Sequence, residues 1–221
     1  MNSLLWLLVP LLGAWGLLRA CRAAALADWG QDWINDLDGL VRLYCRYYHR
    51  YTAEPVPLPA TGAALLAANH LSGLDPLLMV AACRRPLRFL IAQEEYERPW
   101  LKPLFDAIGC IPVDRNSRPE VALRAALRAL QAGEVVALFP QGRITLPDEP
   151  RRPLKRGIHW LAQQANCAIY PVHLSGIQGL GHTLPALFLR SHARLLAHPA
   201  LDCDGQPNCL QDLQDLLENP V

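Results

Sequence analysis

Five short apolar runs, Ala63–Ala68, Leu87–Ile91, Cys110–Val113, Glu134–Phe139 and Ala168–Val172, punctuate this chain. Each is too short for a helix and is bounded by turn-forming residues, so each reads as a buried strand. Helical periodicity fills the intervals. Pro99–Ile108 places Leu101, Leu104, Phe105 and Ile108 on one face, and Pro119–Ala132 does the same with Leu123, Leu127 and Leu130. Arg124 and Arg128 then point outward, and Gly133 ends that helix. Lys155–Asn166 predicts another helix, His192–His198 a further strand and Leu210–Leu217 a terminal helix. Such alternation specifies an α/β fold, a mixed, largely parallel sheet with helices on both faces.

The first 52 residues obey a different rule. Leu4 to Leu18 carries no charge, and as a helix those 15 residues span roughly 22 Å. The hydrocarbon core of a bilayer is ~30 Å thick, a length that snorkelling by Arg19 and Arg22 would approach by carrying the helix through Ala27. No basic side chain precedes the run, which argues against a signal peptide, and the arginines after it favour a cytoplasmic position for the downstream chain. Across residues 29–51, Trp29, Trp33, Ile34, Leu37, Leu40, Val41 and Tyr44 recur at helical spacing. This pattern suits a lipid–water boundary and a core helix equally. The expectation is a membrane-associated N-terminal helical pair at 1–52 and an α/β domain at 53–221, joined through the proline-bearing stretch Glu54–Gly62. Its place would be the cytoplasmic face of the inner (cell) membrane.

The net charge of +1 and the lack of any basic–aromatic interleaving give no reason to expect nucleic acid as a partner. The seven cysteines, at 21, 45, 83, 110, 167, 203 and 209, contain no Cys-x-x-Cys pair, so reduced thiols are expected and no metal site.

Four blocks fall at strand ends, where an α/β sheet gathers its chemistry. Asn69-His70-Leu71-Ser72-Gly73-Leu74-Asp75 comes after the first apolar run, with Asp75-Pro76 reading as a helix cap and first helical residue. Gly109-Cys110-Ile111-Pro112-Val113-Asp114-Arg115 ends in an arginine. Phe139-Pro140-Gln141-Gly142-Arg143-Ile144-Thr145 is a turn with a second arginine, and Tyr170-Pro171-Val172-His173-Leu174-Ser175-Gly176 closes another strand. A histidine five residues from a carboxylate suits a general base and its orienting partner. The planar guanidinium groups suit phosphate, and Gly142 lets a backbone approach a ligand closely. Ser72 reads as a turn residue, since no Gly-x-Ser-x-Gly elbow is present.

In this order and spacing, over roughly residues 60–180, the blocks resemble the glycerolipid acyltransferase family, which includes the lysophosphatidic acid acyltransferases. Its pattern is Asn-His-x-x-x-x-Asp, Gly-x-Ile-x-x-x-Arg, Phe-Pro-Glu-Gly and a Val/Ile-Pro-Val strand end. The resemblance implies that His70 is the general base, that Asp75 orients it and that Arg115 binds the acceptor phosphate. Gln141 and Gly142 would line the acceptor pocket and Pro171 would shape its far side, with Asn69 and Arg143 also among the substrate-binding residues. The implied reaction needs no cofactor: a fatty acyl group passes from acyl-CoA or acyl carrier protein to a membrane lipid acceptor, a lysophospholipid hydroxyl. Two departures stand out. Gln141 occupies the usual glutamate position, and Arg143 comes one residue early, as in the acyltransferase domain of bacterial 2-acyl-glycerophosphoethanolamine acyltransferases. The competing readings are an acyltransferase for another lysolipid or amphiphilic acceptor, of the 2-acyl-glycerophosphoethanolamine kind, a catalytically weak membrane lipid-binding protein, and a thioesterase.

Overall fold

The computed structural model describes residues 2–115 and 117–218; Met1 and 219–221, the outermost residues of the two expected segments, lie outside it. Two helices lead, α1 (Asn2–Ala24) and α2 (Asp32–Tyr47), and strand β1 (Thr52–Ala53) comes next. Then come β2 (Ala64–Ala68), α3 (Asp75–Ala82), β3 (Leu87–Ala92), the short α4 (Gln93–Tyr96) and α5 (Lys102–Ala107), and β4 (Ile111–Val113). The remainder runs α6 (Pro119–Gln131), β5 (Val135–Leu138), α7 (Gly157–Ala165), β6 (Ile169–Ser175), α8 (Pro185–Phe188), β7 (Arg194–Ala197) and α9 (Cys209–Glu218).

Among the described residues the strands form one sheet in the order β1-β7-β6-β2-β5-β3-β4. Every pairing is parallel except β6 with β7. Central β2 is buried along its whole length, as expected for a strand covered on both faces. Its alternating side chains enter two cores. Ala64, Leu66 and Ala68 join Cys45 of α2 and Leu78 and Met79 of α3. Leu65 and Ala67 join Ala126 and Leu130 of α6, Ile158 and Leu161 of α7, and Leu213 of α9.

The helical pair is integral to this packing. Cys21 of α1 is buried, and a Cβ on Gly39 of α2 would sit 1.8 Å from its carbonyl oxygen, so only glycine permits the approach. Buried Arg42 donates to Asp38 at 2.7 and 3.0 Å and to the α3-end carbonyls of Ala81 and Cys83 at 2.9 and 2.6 Å. Asp38 also accepts from the backbone of Leu26 and from the Trp29 indole. Leu11, Leu12, Trp15, Leu17 and Leu18 remain exposed, as do Trp33, Leu40 and Tyr47, which recur every seven residues along α2. Among the described residues, no helix is long and apolar enough to cross a membrane.

Several expectations change. Cys203 and Cys209 form a disulfide, so not every thiol is reduced; the loop between β7 and α9 folds back and brings them together. The helix expected from Pro99 begins at Lys102. The α6 core face is Ala122, Ala126 and Leu130, with Leu123 and Leu127 at its margin, because the helix packs closely on the sheet through small side chains. β6 runs three residues past Val172, since β7 pairs with it as far as Ser175.

Candidate active site

β2, β4, β5 and β6 are mutually parallel, so the four blocks that succeed or end them gather at one edge of the sheet. The turn after β2 is organised by a single carboxylate. Asp75, fully buried, accepts through Oδ2 from the backbone of Leu71 (2.6 Å) and Ser72 (2.9 Å), and its Oδ1 accepts from Ser72 Oγ (2.9 Å). The same Oδ2 lies 2.7 Å from His70 Nδ1. Asp75 is the first residue of α3, with Leu74 in the cap position and no side-chain cap. Its carboxylate folds back to serve the preceding turn instead. An ionised carboxylate accepts only, so Nδ1 carries the proton and Nε2 presents its lone pair on the opposite edge of the ring. His70 keeps 19 % of its side chain exposed, and no hydrogen bond within the described residues occupies Nε2.

The third block closes over this ring. Phe139 stacks on His70 with centroids 3.9 Å apart, and the Thr145 N–H donates to the His70 carbonyl at 2.8 Å. Between these contacts the chain turns tightly: Gly142, at φ +75°, donates to the Phe139 carbonyl at 2.9 Å. Gln141 lies in that turn with its Oε1 buried and without a hydrogen-bond partner. Arg143 is held within its own loop by an ion pair with Glu149. Arg115 is exposed beyond edge strand β4 and has no hydrogen-bond or ion-pair partner among the described residues. Three strand spacings separate β4 from β2, about 14 Å, so Arg115 stands at the far end of this edge from His70.

Two residues assigned to substrate binding have other positions. Both polar atoms of the Asn69 amide are engaged by Leu174, donating to its carbonyl at 2.9 Å and accepting its N–H at 2.7 Å. Buried Asn69 therefore clamps β2 to β6. Pro171 is buried mid-strand, in register with Ala67 of β2, because β6 continues to Ser175.

Sequence reasoning did not identify Phe139 or Thr145 as neighbours of His70, although both lie in a block it singled out. It also missed the segment after β6. Gly181 donates to the Leu71 carbonyl at 2.9 Å, and Gly73 to the His182 carbonyl at 3.1 Å. A Cβ on Gly73 would lie 2.3 Å from Thr183 O, so only glycine allows this segment to close on the turn. The alternative nucleophiles are occupied or suppressed. Ser72 Oγ is spent on Asp75 and the Leu74 N–H, and burial pushes the Cys110 thiol up to about 12.

Residues 50–175 match the family model described as Acyltransferase. The chain is 27 % identical over 120 residues to a 1-acyl-sn-glycerol-3-phosphate acyltransferase of Bacillus subtilis, covering 54 % of this chain and 59 % of that one. It is 31 % identical over 124 residues to a probable enzyme of the same name from Mycoplasma pneumoniae, covering 53 % and 46 %. The matches thus span about half the length of these relatives. Among solved structures, the lysophosphatidic acid acyltransferase PlsC of Thermotoga maritima superposes with a TM-score of 0.63 at 17 % identity, over 85 % of this chain and 80 % of that one. That likeness is one of fold.

Proposed function

The chain belongs to the acyltransferase family, and from that membership we propose that it transfers a fatty acyl group from a thioester, acyl-CoA or acyl carrier protein, to the free hydroxyl of a lysophospholipid such as 1-acylglycerol-3-phosphate. The observation that carries this reading is the 2.7 Å contact between His70 Nδ1 and buried Asp75, which leaves Nε2 outward as a base. Nε2 takes the hydroxyl proton as the oxygen attacks the thioester carbonyl, and Asp75 steadies the resulting imidazolium. Collapse of the tetrahedral intermediate forms the ester bond and breaks the C–S bond. The departing thiol has a pKa of ~8.5, so it leaves as a thiolate and recovers the proton from His70. No acyl-enzyme is required.

Arg115 is the cation we assign to the acceptor phosphate, because Arg143 is already paired with Glu149. Gln141 and Gly142 form the turn beside the acceptor, where an amide replaces a carboxylate. An insoluble acceptor agrees with the exposed apolar side chains of α1 and α2, and we place the protein at the cytoplasmic face of the cell membrane.

The decisive experiment supplies labelled acyl-CoA or acyl carrier protein with a panel of lysolipids. Acceptor-dependent thiol release with formation of a diacyl product is the expected result. Release without an acceptor would identify a thioesterase, and no release with any donor would identify a lipid-binding protein.

A further inference from the structure

The segment that closes on the His70 turn carries an apolar ridge on its outer side. Leu180, Leu184, Phe188 and Leu189 are all exposed, Phe188 by 74 %. Leu184 and Phe188, four residues apart across α8, share one side of that turn. The ridge is fastened at both ends. Gly181 and Gly73 bind it to the catalytic turn; the Tyr48 hydroxyl donates to Phe188 O at 2.6 Å, and the Tyr44 hydroxyl donates to Leu187 O. Solvent exposure of such side chains on a rigid support, rather than on a loose loop, marks an interaction surface.

Charge indicates what covers it. The stretches on either side of the Tyr44 and Tyr48 contacts, 39–53 and 176–200, contain no aspartate or glutamate, although the whole chain has 20; the loop whose exposed Leu146 packs on Gly181 does carry carboxylates, of which Glu149 is already paired with Arg143. The two stretches contain Arg46, Arg50, Arg190 and Arg194, all exposed. A large exposed apolar side chain flanked by four exposed arginines complements an anionic lipid surface, with apolar groups below the headgroups and guanidinium groups among the phosphates.

We propose that the Leu180–Leu189 ridge inserts into the outer part of an anionic phospholipid leaflet, a second membrane contact separate from α1 and located beside the His70 turn. The inference rests on the lipid-acceptor reading for its purpose, since such a contact would bring the leaflet to the catalytic edge, but not for its measurement.

The test uses the full chain and vesicles of phosphatidylglycerol and phosphatidylethanolamine. An environment-sensitive fluorophore attached to the Phe188→Cys variant should shift to shorter wavelength on vesicle addition and be quenched by spin-labelled lipids. The same label on Val121→Cys, exposed on α6 across the sheet, should do neither. Phe188→Glu, at a site too exposed to disturb folding, should weaken vesicle binding about tenfold or more. Unchanged emission at position 188 while the protein sediments with vesicles would overturn the proposal, as would equal binding to pure phosphatidylcholine or failure to bind any vesicle. Neither readout uses acyl transfer. A chain that inserts the ridge yet transfers nothing refutes the enzymatic reading alone.

Discussion

The rings of His70 and Phe139 lie 3.9 Å apart and within 13° of parallel. Asp75 fixes the imidazole through Nδ1 and Phe139 fixes the plane in which it lies, so the direction of Nε2 is set by two side chains, one at the start of α3 and one just past β5. Phe139→Leu keeps an apolar side chain but removes the flat support. Its expected effect is a kcat lower by about 10- to 100-fold with little change in acceptor KM, the cost of a slightly misdirected base. Steady-state kinetics with a fixed thioester donor check it.

Removing the imidazole should leave the turn standing. In His70→Ala, Asp75 still accepts from Leu71, Ser72 N–H and Ser72 Oγ, so the melting temperature is expected to hold while turnover falls by about 10²–10⁴-fold or more. Asp75→Asn should lose both. An amide cannot accept from this full set of donors, and each buried group left unpaired costs about 1–3 kcal/mol. Urea denaturation beside activity measurements separates the two variants.

Asn69→Ala tests the strand clamp. It leaves the Leu174 N–H and carbonyl unpaired between β2 and β6, with an expected loss of about 1–3 kcal/mol for each group. Acceptor KM in the folded fraction should be unchanged. Intact stability with a raised KM would return Asn69 to the substrate.

The arginines should behave unequally. Arg115→Ala is expected to raise the KM of a phosphate-bearing acceptor about tenfold or more, the value of a charged hydrogen bond, and to leave a phosphate-free acceptor unaffected. Breaking the exposed Arg143–Glu149 pair should alter stability by about 0–1 kcal/mol. Kinetics over paired acceptors, with a thermal melt of Arg143→Ala, decide both.

Acidification should weaken the fold before its carboxylates titrate. Burial lowers the pKa of His49, and burial together with the nearby His173 lowers that of His198. Above pH ~6.5 these groups are neutral in both states and cost nothing. As pH falls below that value the unfolded chain binds protons first, so stability declines until the folded pKa values are passed. Denaturation at pH 7.5 and 5.5 should show the loss, and His49→Gln should reduce it.

The alternation of runs such as Ala63–Ala68 with amphipathic stretches made the two-faced, mostly parallel sheet readable in advance. The separation of His70 and Asp75 likewise suggested their contact, because the four residues between them leave few conformations. What stayed hidden depends on long-range pairing. β1 has two residues and gains its identity only from β7, and Pro171 reads as a strand end until β7 extends that strand. Asn69 carries no local sign that Leu174, more than a hundred residues away, will consume its amide. The Cys203–Cys209 bond arises from a loop path without a spacing signature, and Arg143 resembled a phosphate ligand because Glu149 closes on it only through the fold of their loop.

The close crossing of Cys21 and Gly39, backed by the Arg42 clasp on the end of α3, determines where the chain can be shortened. Trimming up to Leu18 would remove exposed apolar side chains and improve handling in aqueous buffer. Cutting at Thr52 would strip a guanidinium from the carbonyls of Ala81 and Cys83 and uncover the α2-facing core. That loss would reach the helix that begins with Asp75.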